Sequence, residues 1–143
     1  HSASDTEYEW EWYTKLVGRM FRTHPTIQTA SLKVLDRRFP GLERMPDEFL
    51  WTDEWYEFGE EKVKGLNYIL SVDERTYDPA ANTGPLDGDG MGKFHPFAWY
   101  HEYDGGRAFY SGLGHLGSSY ADDLLMEHLY GGLYWAATGK GMK

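Results

Sequence analysis

The sequence predicts one α/β domain, and the last third of the chain carries the clearest evidence for it. Two aromatic, strand-like runs meet at Asp104-Gly105-Gly106, the second run ends at Gly114-His115, and a capped helix follows. A histidine between the end of a strand and the start of a helix is typical of the place where α/β folds put ligand-binding side chains. The 143 residues suffice for one hydrophobic core, and no inner linker divides them.

The N-terminal segment predicts a helix. Asp5 or Thr6 can cap it, several glutamates follow in its first turns, and apolar residues recur at helical spacing. His24-Pro25 ends the helix, because the residue before a proline disfavours the α region. The early acidic residues, Asp5 among them, are partners of the helix dipole or, alternatively, include a general acid or base.

Three strand-like runs and a long loop follow. Residues 30–34 alternate between polar and apolar, and residues 49–58 predict a strand with a break at Thr52-Asp53. The compact apolar run 68–72 is typical of a buried strand. Residues 73–93 form a loop too long for a simple connection, so we expect it to be functional or mobile.

The C-terminal hairpin and helix are the most clearly marked elements. Residues 97–103 and 107–113 pair around the Asp-Gly-Gly turn, and Ser118 or Ser119 caps the helix. The helix has an apolar stripe formed by Leu125, Leu129, Leu133 and Ala136. Gly131-Gly132 costs about 1 kcal/mol of helix propensity per glycine, so we expect close packing of helix on sheet there.

The composition excludes several classes of partner and site. A net charge of −9 repels phosphate backbones, so we expect no nucleic-acid partner. No apolar run approaches the length of a membrane span, so we expect no membrane partner. The absence of cysteine excludes a disulfide, a thiolate nucleophile and a zinc–thiolate site. The aromatic share of 17% suits ring faces that bind sugars or peptides, although aromatic cores are equally common.

Histidines at the edges of the hairpin are the first candidates for chemistry. His95 and His115 both lie at its open end and can meet there, whereas His101 lies near the turn. Each is either a proton-transfer residue or a hydrogen-bonded structural residue.

The acidic pair Asp53-Glu54 is the second candidate, because it lies between Trp51 and Trp55. A carboxylate between indoles is typical of a sugar contact or a general base, and equally of a strand that turns its polar face to water. Trp99 and Tyr100 complete the aromatic candidates for substrate binding.

His1 predicts a metal site under one condition. If it is the mature N-terminus, its amino group and ring chelate copper together, and His115 or His95 completes a histidine brace. The alternative is that His1 is an internal residue at a fragment boundary. A secreted or periplasmic location follows if His1 succeeds a cleaved leader, and a cytoplasmic one otherwise.

Four blocks in order resemble the trehalose-utilisation (ThuA-like) family: HSASDTEYEWEWYTKLVG, FLWTDEWYEF, YILSVDERTY, and HPFAWYHEYDGGRAFYSGLGH with the helix ending in GGLYWAA. The resemblance runs over essentially the whole chain, residues 1–143, and matches the C-terminal portion of the family domain. It implies a flavodoxin-like, class I glutamine-amidotransferase-like sandwich, incomplete at its N-terminal side, that retains the β-hairpin and helix. It also implies sugar metabolism, often the turnover of ketosugars or disaccharides.

The chain departs from the amidotransferases in two ways. The missing cysteine excludes glutamine hydrolysis, and Leu116-Gly117 replaces the Pro-acid pair that follows their histidine, which His115 matches. The resemblance still implies that His1 and His115 lie at the carboxyl edge of the sheet. A domain without its first βα units exposes a sheet edge, which a homo-oligomer would cover.

Three functions follow from these observations. The first is a carbohydrate-active ThuA-like protein that binds or converts a sugar or disaccharide, and its catalytic candidates are His115, His95, Asp5 and Glu54. The second is a copper-dependent monooxygenase that cleaves polysaccharides, with His1 and His115 as metal ligands. The third is a non-catalytic interaction domain.

Overall fold

The computed structural model describes residues 2–81 and 88–141. Within these ranges the fold is mixed α/β, with two helices and two antiparallel sheets. The helices are α1 (Glu11–Val17) and α2 (Asp123–Thr138). The strands are β1 (Phe21–Thr23), β2 (Gln28–Val34), β3 (Glu48–Asp53), β4 (Glu57–Phe58), β5 (Asn67–Asp73), β6 (His95–Tyr103) and β7 (Gly106–Ser111). Short 3-10 turns occupy Glu74–Thr76 and Gly117–Ala121.

The larger sheet has five strands in the order β3-β2-β5-β6-β7, and β1 pairs with β4 in a separate ribbon. Every strand pair in the described part of the chain is antiparallel. A flavodoxin-like sandwich is built on a parallel sheet, so the described residues do not contain the central sheet of that fold. They form a mixed α/β unit with antiparallel sheets.

The C-terminal hairpin is confirmed. β6 and β7 pair from Ala98 with Ser111 to Tyr103 with Gly106. Asp104 and Gly105 both have positive φ angles, 51° and 75°, which is the backbone of the tight turn that favours Asp-Gly. The predicted strands at 30–34 and 68–72 are also confirmed within β2 and β5.

The N-terminal helix is shorter than the sequence predicts. It spans only Glu11–Val17, and residues 21–23 form β1 instead of its last turn. Gly18 ends the helix with a φ of 95°, and a Cβ there would lie 2.9 Å from both Leu66 and Trp99. Helical spacing upstream did not reveal this stop, because the glycine is required by a tertiary contact.

Two expectations for α2 are corrected. Asp122, and neither Ser118 nor Ser119, caps the helix through the amides of Leu124 and Leu125. The predicted stripe is also wrong at Leu133, which is 67% exposed. The buried positions of α2 are Leu125, His128, Gly131 and Gly132.

The glycine pair of α2 packs as predicted. A Cβ on Gly131 would lie 2.3 Å from the carbonyl oxygen of Pro40, and one on Gly132 would lie 2.3 Å from the Phe109 ring. Contacts below 3.0 Å do not occur for real Cβ atoms. The two glycines therefore allow α2 to approach β7 and the turn at Pro40-Gly41.

The core lies mainly between the five-stranded sheet and the segment that carries β4. Its largest fully buried aromatic side chains are Trp55, Trp99, Tyr56 and Phe97. Phe97 packs against both Trp55 and Tyr56, with ring centroids 5.1 and 5.8 Å away. Among the described residues, no helix has the length and apolar character that crossing a membrane requires.

Candidate functional site

The candidate site is built on the turn between β3 and β4, whose residues 53–57 include three acidic side chains. All three, Asp53, Glu54 and Glu57, are buried. Buried carboxylates are costly unless donors surround them. The partners of each one therefore indicate what it does.

Asp53 is fully buried and accepts four N–H groups. Its Oδ2 accepts from the Gly114 amide at 2.8 Å and from the Trp51 indole at 3.1 Å. Its Oδ1 accepts from the amides of Glu54 and His115, both at 3.1 Å. One carboxylate thus fixes the backbone of the β3–β4 turn against the backbone that carries His115.

Glu54 contacts the ring of His115. The Nδ1 of His115 lies 2.9 Å from Oε2 of Glu54, and the side chains are 38% and 9% exposed. The two atoms lie at ion-pair distance without the alignment of a hydrogen bond. A carboxylate only accepts hydrogen bonds, so a rotation of the ring that aligned them would have Nδ1 donate and would leave Nε2 for a ligand, as in a carboxylate–histidine dyad.

A second histidine lies on the other oxygen of Glu54. Nε2 of His24 is 3.7 Å from Oε1 of Glu54, and Nδ1 of His24 is 2.8 Å from the Pro25 carbonyl oxygen. That carbonyl holds a proton on Nδ1. Glu54 therefore lies between two imidazoles, one on each oxygen.

A cavity of about 320 Å³ adjoins the pair, and His115 lines it. The hydroxyl-bearing residues Ser111, Tyr56 and Tyr120 also line it. Burial, and then the nearby charge of Glu54, raise the pKa of Tyr56, so its hydroxyl keeps its proton. The volume lies at the lower end of the range for small-molecule sites.

His95 lies at the start of β6 and is buried, away from the His115 cavity. Its Nε2 is 2.8 Å from the Tyr56 carbonyl oxygen, and its Nδ1 is 2.8 Å from Oε1 of Glu74. The structure therefore does not bring His95 and His115 into one site. Each instead bonds the β3–β4 turn, His95 at Tyr56 and His115 at Asp53.

The predicted aromatic platforms lie mostly in the core. Trp55 and Trp99 have no exposed surface, so neither offers a ring face to a ligand in this structure. Tyr100 is partly buried and stacks on Phe39 with centroids 4.5 Å apart. Trp51 is also partly buried, and its indole N–H is used by Asp53.

The remaining predicted site residues are Asp5 and His1. Asp5 is exposed and accepts a hydrogen bond of 2.6 Å from the Tyr8 hydroxyl. His1 lies outside the described residues, and so does the copper brace that depends on it. Within the described ranges, no group of three His, Asp or Glu side chains is arranged to hold a metal ion.

One contributor to the site, His24, is missed by sequence reasoning, which interprets it only as a helix stop before Pro25. Asp53 is singled out with Glu54 as an acidic pair between Trp51 and Trp55, but the sequence does not indicate that it holds the backbone of Gly114 and His115. His24 gave no local signal, since its neighbour in space lies thirty positions away.

Comparison with known proteins gives a family and a fold. The trehalose-utilisation (ThuA) family matches residues 1–136. A putative ThuA-like protein from Bacteroides uniformis superposes with a TM-score of 0.69 at 21% identity, over 94% of this chain and 54% of that one. One from Parabacteroides merdae gives 0.69 at 18% identity, over 100% and 60%. The chain thus spans little more than half the length of these structures. No curated protein matches the sequence.

Proposed function

This chain belongs to the trehalose-utilisation (ThuA) family, and from that premise we propose that it acts on a sugar or disaccharide by proton transfer. The acting residue is His115, oriented by Glu54, and the ligand occupies the adjoining cavity. The chain contributes no amidotransferase thiolate, because it has no cysteine. The family description names trehalose utilisation, so trehalose and related disaccharides are the first substrates to test.

One observation carries the proposal: the 2.9 Å contact between His115 Nδ1 and Glu54 Oε2 beside a cavity. Glu54 holds the ring orientation and favours the tautomer with its proton on Nδ1. Nε2 then accepts a proton from a ligand hydroxyl or activated C–H group, and the carboxylate stabilises the imidazolium that forms. The same nitrogen can return the proton later in the reaction.

The surroundings favour a neutral polyol over a phosphorylated ligand. Of the hydroxyl-bearing residues that line the cavity, Tyr120 is exposed, and its hydroxyl can both donate and accept hydrogen bonds. Glu54 and Asp53 place negative charge next to His115, and the chain carries a net charge of −9. An anionic ligand would be repelled, whereas a sugar hydroxyl would meet both donors and acceptors.

The wider predictions stay proposals. A flavodoxin-like, amidotransferase-like sandwich is proposed for the whole domain, whose relatives are nearly twice as long as the matched region. The copper-dependent alternative receives no support from the family match, which names trehalose utilisation.

The test compares the wild type with His115→Ala, Glu54→Gln and the control His101→Gln. His101 is also a histidine of the hairpin region, but it is buried and bonds the Lys15 carbonyl near the other end of β6. Turnover of trehalose and other neutral disaccharides is followed by NMR, and binding by calorimetry. We expect His115→Ala to lower kcat by about 10²- to 10⁴-fold and Glu54→Gln by a smaller factor, while the control keeps wild-type activity.

Two results would overturn the proposal. Unchanged turnover in a folded His115→Ala variant would remove the residue from the chemistry. Binding of a disaccharide without turnover in the wild type would instead support the non-catalytic interaction domain.

A further inference from the structure

His95 is a buried histidine whose two ring nitrogens are both hydrogen-bonded. Its side chain has no exposed surface, and its Nε2 is 2.8 Å from the carbonyl oxygen of Tyr56. A carbonyl accepts only, so Nε2 carries a proton. His95 therefore donates to the main chain two residues after Glu54.

The other nitrogen of His95 faces a carboxylate. Nδ1 is 2.8 Å from Oε1 of Glu74; that oxygen also accepts the amide of Met91, and Oε2 accepts the amide of Gly92. Burial alone would raise the pKa of Glu74, but the hydrogen bonds from His95 and the two amides hold it below its ordinary value. Nδ1 also lies 3.1 Å from the Tyr77 hydroxyl, so the ring of His95 connects the Tyr56 carbonyl on one side to Glu74 and Tyr77 on the other.

The turn that carries Glu54 is thus fixed on both sides. Before it, Asp53 holds the amides of Gly114 and His115. After it, the Tyr56 carbonyl is held by His95, and Glu57 accepts the Gly90 amide at 2.8 Å. An oriented proton-transfer pair must be held to within about 0.5 Å, and a main chain fixed on both sides of Glu54 favours such a position.

We propose that His95, paired with Glu74, is a positioning residue that sets Glu54 against His115 by holding the Tyr56 carbonyl. This inference rests on the proposed function of the His115–Glu54 pair. It assigns His95 no contact with the ligand, because its ring is buried and does not line the His115 cavity. It also explains why a histidine, whose ring can form hydrogen bonds in two directions at once, occupies this buried place.

The test measures the tautomer of His115 by ¹⁵N NMR. The variants are His95→Gln, which retains one donor, and His95→Leu, which retains none; His101→Gln is the matched control in the same strand. We expect the fraction of His115 with its proton on Nδ1 to fall by about half in His95→Leu and by less in His95→Gln. Disaccharide turnover should show kcat falling about tenfold with KM unchanged. The control should change neither quantity.

The outcomes separate a positioning role from a structural one. If thermal unfolding shows a loss of stability in His95→Gln or His95→Leu but the His115 tautomer is that of the wild type, the inference is overturned. If His95→Leu does not fold, the milder His95→Gln variant decides alone. If the wild type turns over no disaccharide but the His95 variants still shift the His115 tautomer, the positioning role is supported and the proposed function is contradicted. The two proposals can therefore fail separately.

Discussion

Replacing Asp53 with asparagine changes one oxygen of a buried carboxylate to an NH₂ group and leaves the side-chain shape unchanged. Each oxygen of Asp53 accepts two N–H groups, so the substitution removes two hydrogen bonds whichever way the amide is oriented. One orientation faces the NH₂ group towards the Gly114 amide and the Trp51 indole. The other faces it towards the amides of Glu54 and His115. In both orientations, the NH₂ donor of asparagine faces two N–H donors and can accept from neither.

The expected loss of stability follows from these two contacts. Leaving a buried donor without an acceptor costs about 1–3 kcal/mol, and the donors here are only partly buried, so we expect a total of about 3 kcal/mol. A protein of this size loses about 3 °C of melting temperature per kcal/mol, which gives a fall of about 10 °C. That is a large share of the about 5–15 kcal/mol that holds a typical domain folded.

The assay is urea unfolding of wild type and variant, followed by tryptophan fluorescence. Asp104→Asn is the matched control, because Asp104 also accepts an indole N–H, that of Trp12 at 2.7 Å, but lies exposed in the hairpin turn. Its φ of 51° suits asparagine equally well. We expect the control to stay within about 0.5 kcal/mol of wild type. An Asp53→Asn variant within about 1 kcal/mol would refute the reasoning that this carboxylate is held by four obligatory donors.

Two further predictions concern α2. Burial lowers the pKa of His128 to about 4 from an ordinary 6.5, so folding disfavours its protonation; the stability it contributes is complete above pH 6.5 and is lost as the pH falls towards 4. Between pH 7.5 and pH 5 we expect urea unfolding to show about 2 kcal/mol more loss in wild type than in His128→Leu, and equal losses would contradict the assignment. A Gly132→Ala variant should be destabilised despite its better helix propensity, since its Cβ would lie 2.3 Å from the Phe109 ring. Calorimetry showing a melting temperature at or above that of wild type would contradict this packing.

The helices and strands are predictable where turn and boundary residues lie next to them in the sequence. The hairpin has Asp-Gly at its turn, and β2 and β5 are bounded by polar residues, so their positions follow from short-range preferences. α1 was predicted too long because Gly18 ends it for the sake of contacts with Leu66 and Trp99. Such contacts depend on residues far along the chain, which periodicity does not contain.

The site was predictable only in its two central residues. Glu54 and His115 were identified by their neighbours, indoles for one and a strand end for the other, and the structure brings them within 2.9 Å. His24 directly follows β1 of the two-stranded ribbon and contacts Glu54, whereas the sequence predicts the end of a helix at this position. The indole interpretation failed for Trp55, whose ring is fully buried, because an aromatic beside an acid fits a core as well as a binding face.

The three buried acids of the β3–β4 turn have different partners, and this difference is why we propose Glu54 for the chemistry. Asp53 is surrounded by N–H groups of amides and an indole, which do not exchange charge at neutral pH, so it is a structural anchor. Glu57 has no exposed surface and accepts an amide of Gly90, again a fixed partner. Glu54 differs because two imidazoles contact its oxygens, beside the Tyr56 hydroxyl, and the His115 ring reaches solvent and lines a cavity. In the proposed mechanism the proton is exchanged at Nε2 of His115, and the acids on either side keep Glu54 in place against the ring.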